Sequence, residues 1–215
     1  MLAPLIDHTL LKPEATDAEV TALCGQAVAH GFAAVCVNPY WVPRAAALLS
    51  GEAVRVCTVA GFPLGANRTE AKAAEAALAV ADGAHEVDMV LNLGALRGGD
   101  RAAVAADLRA VRAAVGARTL KVIVEAAALS RDELVAATLL AADAGADFVK
   151  TSSGFHPAGG ARTADVKLIG EALADRPVQI KASGGIRDRA FAEELVAAGA
   201  ARLGTSSGVA LSSGE

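Results

Sequence analysis

Short apolar runs rich in valine and isoleucine alternate along the chain with longer alanine-rich stretches. The runs predict strands over residues 5–9, 33–38, 55–60, 85–91, 120–126, 148–152, 179–183 and 202–205. Continuous apolar runs of this length suit parallel strands that helices cover from outside. The stretches between carry helix-start signals. Thr16 with Glu19, Asn67 with Glu70, and Ser130 with Glu133 have the spacing of a reciprocal N-terminal cap. Asp100, after the break at Gly98-Gly99, is placed to cap the helix that runs toward Val115. Pro177 ends the helical stretch ahead of the seventh strand. Gly31, Gly83, Gly145 and Gly199 each close a helical stretch before a strand, the place of a left-handed C-terminal glycine.

Those four glycines set a register. Five positions beyond them stand Cys36, Asp88, Lys150 and Gly204, on the second, fourth, sixth and eighth strands. Eight strand–helix units in 215 residues predict a (β/α)8 TIM barrel, one α/β domain over residues 1–215, in preference to an open doubly wound sheet. Alternate strands of a barrel fill one interior layer, so Asp88 and Lys150 are expected to share a layer with Cys36 and the side-chain-free Gly204. The longest stretch without periodicity, 154–163, follows the sixth strand. That places it on the catalytic face as a lid or substrate loop.

Composition narrows the function classes. Hydrophobic residues make up 53% and charged residues 20%, enough for a full core. A net charge of −4 and an aromatic content of 3% supply neither a basic footprint nor a stacking platform for nucleic acid. No apolar run approaches the roughly 20 residues of a membrane span, and the opening residues lack the charged start of a secretory signal. Cys24, Cys36 and Cys57 are odd in number and without a CxxC pair, so they read as buried hydrophobes and the cytoplasm as the compartment. The histidines His8, His30, His85 and His156 form no HxH or HExxH pattern, so no metal site is expected. His8 reads as a structural hydrogen-bonding residue, and Trp41, between Pro39 and Pro43, as loop packing.

The chemistry lies in two strands of one design. Phe148-Val149-Lys150-Thr151-Ser152-Ser153-Gly154 and Gln179-Ile180-Lys181-Ala182-Ser183-Gly184-Gly185 each carry a lysine inside an apolar run. An ammonium in such a place is either paired or kept neutral so that its amine can attack a carbonyl. Alternation turns Lys150 and Lys181 inward when Val149 and Ile180 face the helices, and Glu86 and Asp88 inward when Val87 and Met89 do. A buried ion network that fixes register is the plain reading of one such lysine. Two lysines with a carboxylate at one mouth favour catalysis. A nucleophilic lysine must fall from about 10.4 to near 7, a cost of roughly 4 to 5 kcal/mol. A second ammonium about 4 Å away supplies on the order of 4 kcal/mol at an effective dielectric of 20. Lys150 is therefore read as the nucleophile and Lys181 as the charge that favours its neutral form; spacing alone leaves the two roles interchangeable. Gly184, Gly185 and Arg187 follow the seventh strand, and Ser206 and Ser207 continue the eighth. Loops in those positions form the phosphate pocket of such barrels. Thr151 and Gly154, which end the sixth-strand motif, join them as candidate substrate-binding residues.

Leu5-Ile6-Asp7-His8-Thr9-Leu10-Leu11-Lys12-Pro13 resembles the opening of deoxyribose-phosphate aldolases. Cys57-Thr58-Val59-Ala60-Gly61-Phe62-Pro63-Leu64-Gly65 and Glu86-Val87-Asp88-Met89-Val90 are similar to later motifs of that family, as are Val149-Lys150-Thr151-Ser152 and Ile180-Lys181-Ala182-Ser183-Gly184-Gly185-Ile186-Arg187. The matches run in order from residue 5 to about 208. The resemblance implies a cofactor-free class I aldolase that cleaves 2-deoxy-D-ribose 5-phosphate to D-glyceraldehyde 3-phosphate and acetaldehyde. It implies the Schiff base on Lys150, proton transfer by Lys181 and Asp88, and Asp7 lining the site to hold substrate hydroxyls. It implies a homodimer as well. Two positions depart from the pattern of some members: Phe155 stands where they have a lysine, and the tail Leu211-Ser212-Ser213-Gly214-Glu215 lacks their terminal tyrosine. Both imply a weaker preference for phosphate, or its recognition by backbone and hydroxyl groups. The competing readings are another Schiff-base barrel enzyme acting on a different phosphosugar, and a phosphosugar-binding barrel without catalysis. The carboxylate of Asp88 argues against the second, since a phosphate does not need it.

Overall fold

In the computed structural model, which describes residues 2–213, eight parallel strands hydrogen-bond in chain order and close into a barrel. They are β1 (Ile6–Leu10), β2 (Ala34–Val37), β3 (Arg55–Ala60), β4 (Glu86–Val90), β5 (Thr119–Ile123), β6 (Phe148–Lys150), β7 (Gln179–Ser183) and β8 (Arg202–Thr205). Asp7 of β1 pairs with Gly204 of β8, which completes the ring. Around it, among the described residues, lie α1 (Asp17–His30), α2 (Val42–Leu48), α3 (Thr69–Ala81), α4 (Leu93–Arg97), α5 (Arg101–Val115), α6 (Arg131–Asp143), α7 (Thr163–Leu173), α8 (Arg189–Ala197) and α9 (Gly208–Ser213). The end of the tail, Gly214 and Glu215, is outside the described residues.

Local signals account for most of these boundaries. Thr16 and Glu19 cap α1 reciprocally, and Ser130 and Glu133 do the same for α6. Asp100 accepts from the N–H of Ala103 at the start of α5. Gly31 takes the left-handed conformation that ends α1 and turns the chain into β2. Asn67 does not cap α3. The flanking residue there is Arg68, which makes no side-chain cap bond, and Asn67 is exposed. The physical reason is tertiary. Gly65 lies so close to the end of β4 that a Cβ on it would sit 2.2 Å from the carbonyl oxygen of Leu91. Farther along α3, buried Lys72 donates to Asp107 of α5 at 2.7 Å and to the carbonyl of Val90 at 3.0 Å. These contacts dock the helix without a local cap.

Alternation divides the strand residues into two populations. Val35, Val37, Val56, Val87, Met89, Leu120, Val122, Val149, Ile180 and Leu203 belong to the large core between barrel and helices. A second, smaller apolar cluster of Leu11, Ala34, Cys36, Cys57 and Val59, with Phe62 against it, gathers separately. The other inward positions, from β4 round to β8 and β1, include the charged Glu86, Asp88, Lys121, Lys150, Lys181, Arg202 and Asp7, with Phe148, Ser183 and Gly204 packed among them.

Candidate active site

Asp88 is the hub of that charge. Lys150 Nζ donates to its Oδ2 at 2.8 Å, and Lys181 Nζ donates to the same oxygen at 2.7 Å. Its other oxygen accepts from Lys121 Nζ at 2.8 Å and from the Cys57 thiol at 3.2 Å. Lys181 also pairs with Asp7 at 2.5 Å, Lys121 with Glu86 at 2.6 Å, and Arg202 with Asp7 at 2.6 Å. Arg202 lies 5.5 Å from the ring centroid of Phe148, so an aromatic face covers that end of the network. Every lysine and carboxylate of this network is buried.

Burial and charge act on these groups in opposite directions, and charge wins. Burial disfavours the Asp88 carboxylate, yet Lys121, Lys150 and Lys181 hold it well below the usual carboxylate range. Burial acts in the same way on Asp7, and Lys181, Lys121 and Arg202 again outweigh it. Desolvation would strip the proton from Lys181, but Asp7 and Asp88 keep it above the ordinary lysine value. Lys121 is held up as well, against burial, by Asp88, Cys57, Asp7 and Glu86. Gly204 makes room for this packing: a Cβ there would lie 3.1 Å from Lys181 Cε and 3.0 Å from the Ser183 Cβ.

Above the network opens a cavity of about 270 Å³. Of the network's cations only Lys150 lines it; Lys121, Lys181 and Arg202 do not. Gly154, Gly184, Gly185, Arg187 and Ser206 form its wall, as does the backbone-rich start of the loop after β6. Asp7 lies beneath the cavity and not in its wall. Thr151 is buried in the seam between β6 and β7, where its hydroxyl accepts the N–H of Ser183 at 3.1 Å. Ser207 is outside the wall as well, its N–H bonded to Thr205 Oγ1 at 2.9 Å. The 154–163 segment divides in two. Its first part borders the cavity, while Gly160 lies so close to Gly184 that a Cβ on it would be 2.1 Å from the Gly184 carbonyl oxygen. That end is seated on the β7 loop, with Ala161 N–H donating to Gly184 at 3.0 Å, and is not free to swing.

Sequence reasoning missed Lys121, Arg202 and Glu125. Lys121 carried the same signal as its fellows, a lysine between Leu120 and Val122 in an apolar strand. Glu125, buried and left-handed at φ 54°, accepts the N–H of Ser153 at 3.0 Å and so braces the turn below the cavity. His8 is structural, as expected, bonded to Gln26 at 2.8 Å. Donor atoms of Cys36, Cys57 and Asp88 lie within 4.8 Å of one another, and so do those of Asp7, Cys57 and Glu86. Lys121 Nζ stands among the second group, 2.6 Å from Glu86, 3.2 Å from the Cys57 sulfur and 3.7 Å from Asp7.

A closed parallel barrel whose mouth cavity meets a single amine of a carboxylate-bound lysine cluster is a scaffold for carbonyl chemistry of the aldolase class. The chain belongs to the DeoC/LacD aldolase family, whose model matches residues 1–213. It is 53% identical over 209 residues to a deoxyribose-phosphate aldolase of Brevibacillus brevis, covering 97% of this chain and 94% of that protein. It is 51% identical over 213 residues to one of Deinococcus radiodurans, covering 99% and 96%. Among solved structures it is similar to a deoxyribose phosphate aldolase from Aeropyrum pernix described as tetrameric, with TM-score 0.90 and 33% identity over 99% of this chain and 89% of that one. The protein is thus an aldolase, a lyase that breaks or makes a carbon–carbon bond beside a carbonyl.

Proposed function

We infer that this aldolase reversibly cleaves 2-deoxy-D-ribose 5-phosphate to D-glyceraldehyde 3-phosphate and acetaldehyde, with Lys150 as the Schiff-base lysine. The observation that carries the residue assignment is the position of Lys150 as the network's one amine in the cavity wall. Charge accounting supports it. Lys121, Lys150, Lys181 and Arg202 face only Asp7, Glu86 and Asp88. Lys121, Lys181 and Arg202 each pair with at least two of these carboxylates, whereas Lys150 pairs with Asp88 alone and is the cation least tied into the network.

The neutral amine adds to the aldehyde carbon of the open-chain sugar, and the carbinolamine loses water to give a protonated imine. The C3 hydroxyl gives up its proton, the C2–C3 bond breaks, and its electron pair flows into the imine to form an enamine. D-Glyceraldehyde 3-phosphate leaves. The enamine takes a proton at C2, and water hydrolyses the imine to acetaldehyde and free Lys150. Asp88, bonded to both amines, is the relay through which Lys181 supplies and recovers protons. At the other end, Gly184, Gly185, Ser206 and Arg187 are assigned to the phosphate, with backbone N–H groups, a hydroxyl and a guanidinium as donors. Asp7 acts through Lys181 and does not hold substrate hydroxyls in this reading. No cofactor is required by these steps.

Reduction with borohydride in the presence of acetaldehyde is expected to ethylate Lys150, seen as a mass shift on its peptide, and Lys150→Ala is expected to abolish turnover while the fold survives. An unmodified Lys150 peptide would count decisively against the assignment. We further assign the assembly as a homodimer and the compartment as the cytoplasm. Three unpaired buried cysteines favour the latter, and no helix among the described residues is long and apolar enough to cross a membrane.

A further inference from the structure

Beside the reaction cavity lies a second and larger one, of about 560 Å³, walled by Leu11, Tyr40, Trp41, Phe62, Pro63 and Phe155 among others. Leu11 and Phe155 border both, so the two spaces adjoin across those side chains. Four of the chain's seven aromatic residues gather here. Tyr40 meets Trp41 edge-on at 4.9 Å and Phe62 meets Phe155 edge-on at 5.1 Å, which pins the loop after β6 to the loop after β3. Tyr40 remains 82% exposed and Phe155 52%. In a chain this poor in aromatics, such a cluster left open at a catalytic mouth points to a ligand rather than to packing. The apolar lining also continues inward, since Phe62 and Leu11 pack on Cys36, Cys57 and Val59. The mouth therefore has two unlike walls, a glycine–hydroxyl wall from the β7 and β8 loops and an aromatic wall from the β1–β3 and β6 loops.

We propose that the aromatic groove is a second acceptor subsite, which receives the aryl or long alkyl tail of an aldehyde that carries no phosphate. The inference rests on the aldol reading of Lys150. In the synthetic direction the enamine carbon of Lys150-bound acetaldehyde attacks the acceptor carbonyl carbon, forming the new bond. The carbonyl oxygen takes up the proton released when the enamine formed, and water then frees a 3-hydroxy aldehyde. The donor end is tethered at Lys150, so the acceptor's tail must leave along one wall or the other. An apolar tail against Arg187 and Ser206 would strip water from them and return nothing, whereas against Trp41 and Phe155 it buries apolar surface on both sides.

The test uses the intact protein with excess acetaldehyde and two acceptors, 3-phenylpropanal and propanal. A KM for 3-phenylpropanal at least about tenfold below that for propanal is expected, a gap equivalent to about 1.4 kcal/mol. In Tyr40→Ser and in Trp41→Ala the ratio of the two kcat/KM values is expected to fall toward unity. A readout that needs no turnover is at hand, because Trp41 is the sole tryptophan. Its fluorescence is expected to respond to 3-phenylpropan-1-ol, which cannot form an imine, and not to propan-1-ol at the same concentration. Equal KM values with a silent Trp41 overturn the proposal. So does a Tyr40→Ser variant that dissociates the assembly on sedimentation while the acceptor ratio is unchanged, since the groove would then be covered by a second copy. Absence of turnover with every acceptor, together with no adduct on Lys150, sinks the aldol reading itself; normal turnover of propanal without an aryl preference sinks only the groove.

Discussion

Lys150 and Lys181 bond the same oxygen of Asp88 but differ in what else they touch. Lys181 meets Asp7 as well, whereas Lys150 meets the cavity. Replacing Lys181 by leucine removes an amine from the Asp88 hub and the proton it would supply. In Lys181→Leu kcat is therefore expected to fall by about 10²-fold or more from the lost proton transfer. A kcat close to that of the unaltered protein would show that Lys181 takes no part in moving protons. The inward direction of these side chains was legible because a lysine in a valine-rich strand has to face away from the helices. What no strand shows by itself is how many partners await it. Lys121 and Arg202 lie in strands of the same kind, yet their value as counter-charges arises only when β5 and β8 are brought round to β4 and β1.

At the scale of elements, the helix starts read from spacing separate into those set locally and those set by docking. Thr16 and Ser130 exchange bonds with the residue three positions on, and the sequence alone contains everything such a cap needs. Asn67 has the same spacing and no such bond, because Gly65 and Lys72 place α3 through contacts with the end of β4 and with α5. Thr16→Ala is accordingly expected to cost about 1 kcal/mol, a fall in melting temperature of about 2–4 °C for a chain of this size. Asn67→Ala is expected to change nothing measurable in the same thermal scan. Equal effects at the two sites would mean that the exposed Asn67 caps in solution after all. The same distinction explains where β6 ends. The hydrophobic run predicts a strand to residue 152, but after the backbone bond from Thr151 N–H to the Lys181 carbonyl the hydroxyls of Thr151 and Ser183 take over the seam with β7. The short α4 escaped notice since five residues are too few to show a helical period.

The whole barrel is a shell of ordinary apolar packing around an interior that is apolar on the β1–β3 side and ionic from β4 round to β8, with Asp7 reaching in from β1. That division places a reactive amine between a charged floor and an oily wall. It also makes the stability of the molecule a function of pH at both ends of the scale. Asp7 and Asp88 refuse protons in the folded state that the unfolded chain accepts, so their contribution is complete above the usual carboxylate value of about 4 and is lost as pH falls below it. Lys121 and Lys181 hold protons that the unfolded chain releases, so theirs is complete below about 10.4 and is lost as pH rises beyond it. The urea midpoint is thus expected to form a plateau between about pH 5 and 9, with a fall on each side. Asp88→Asn should start from a lower plateau, since it leaves amines crowded without their hub, and should lose less on the acid side. A midpoint that slopes steadily through neutrality, the same in both proteins, would mean that the interior charges are not held as their distances imply.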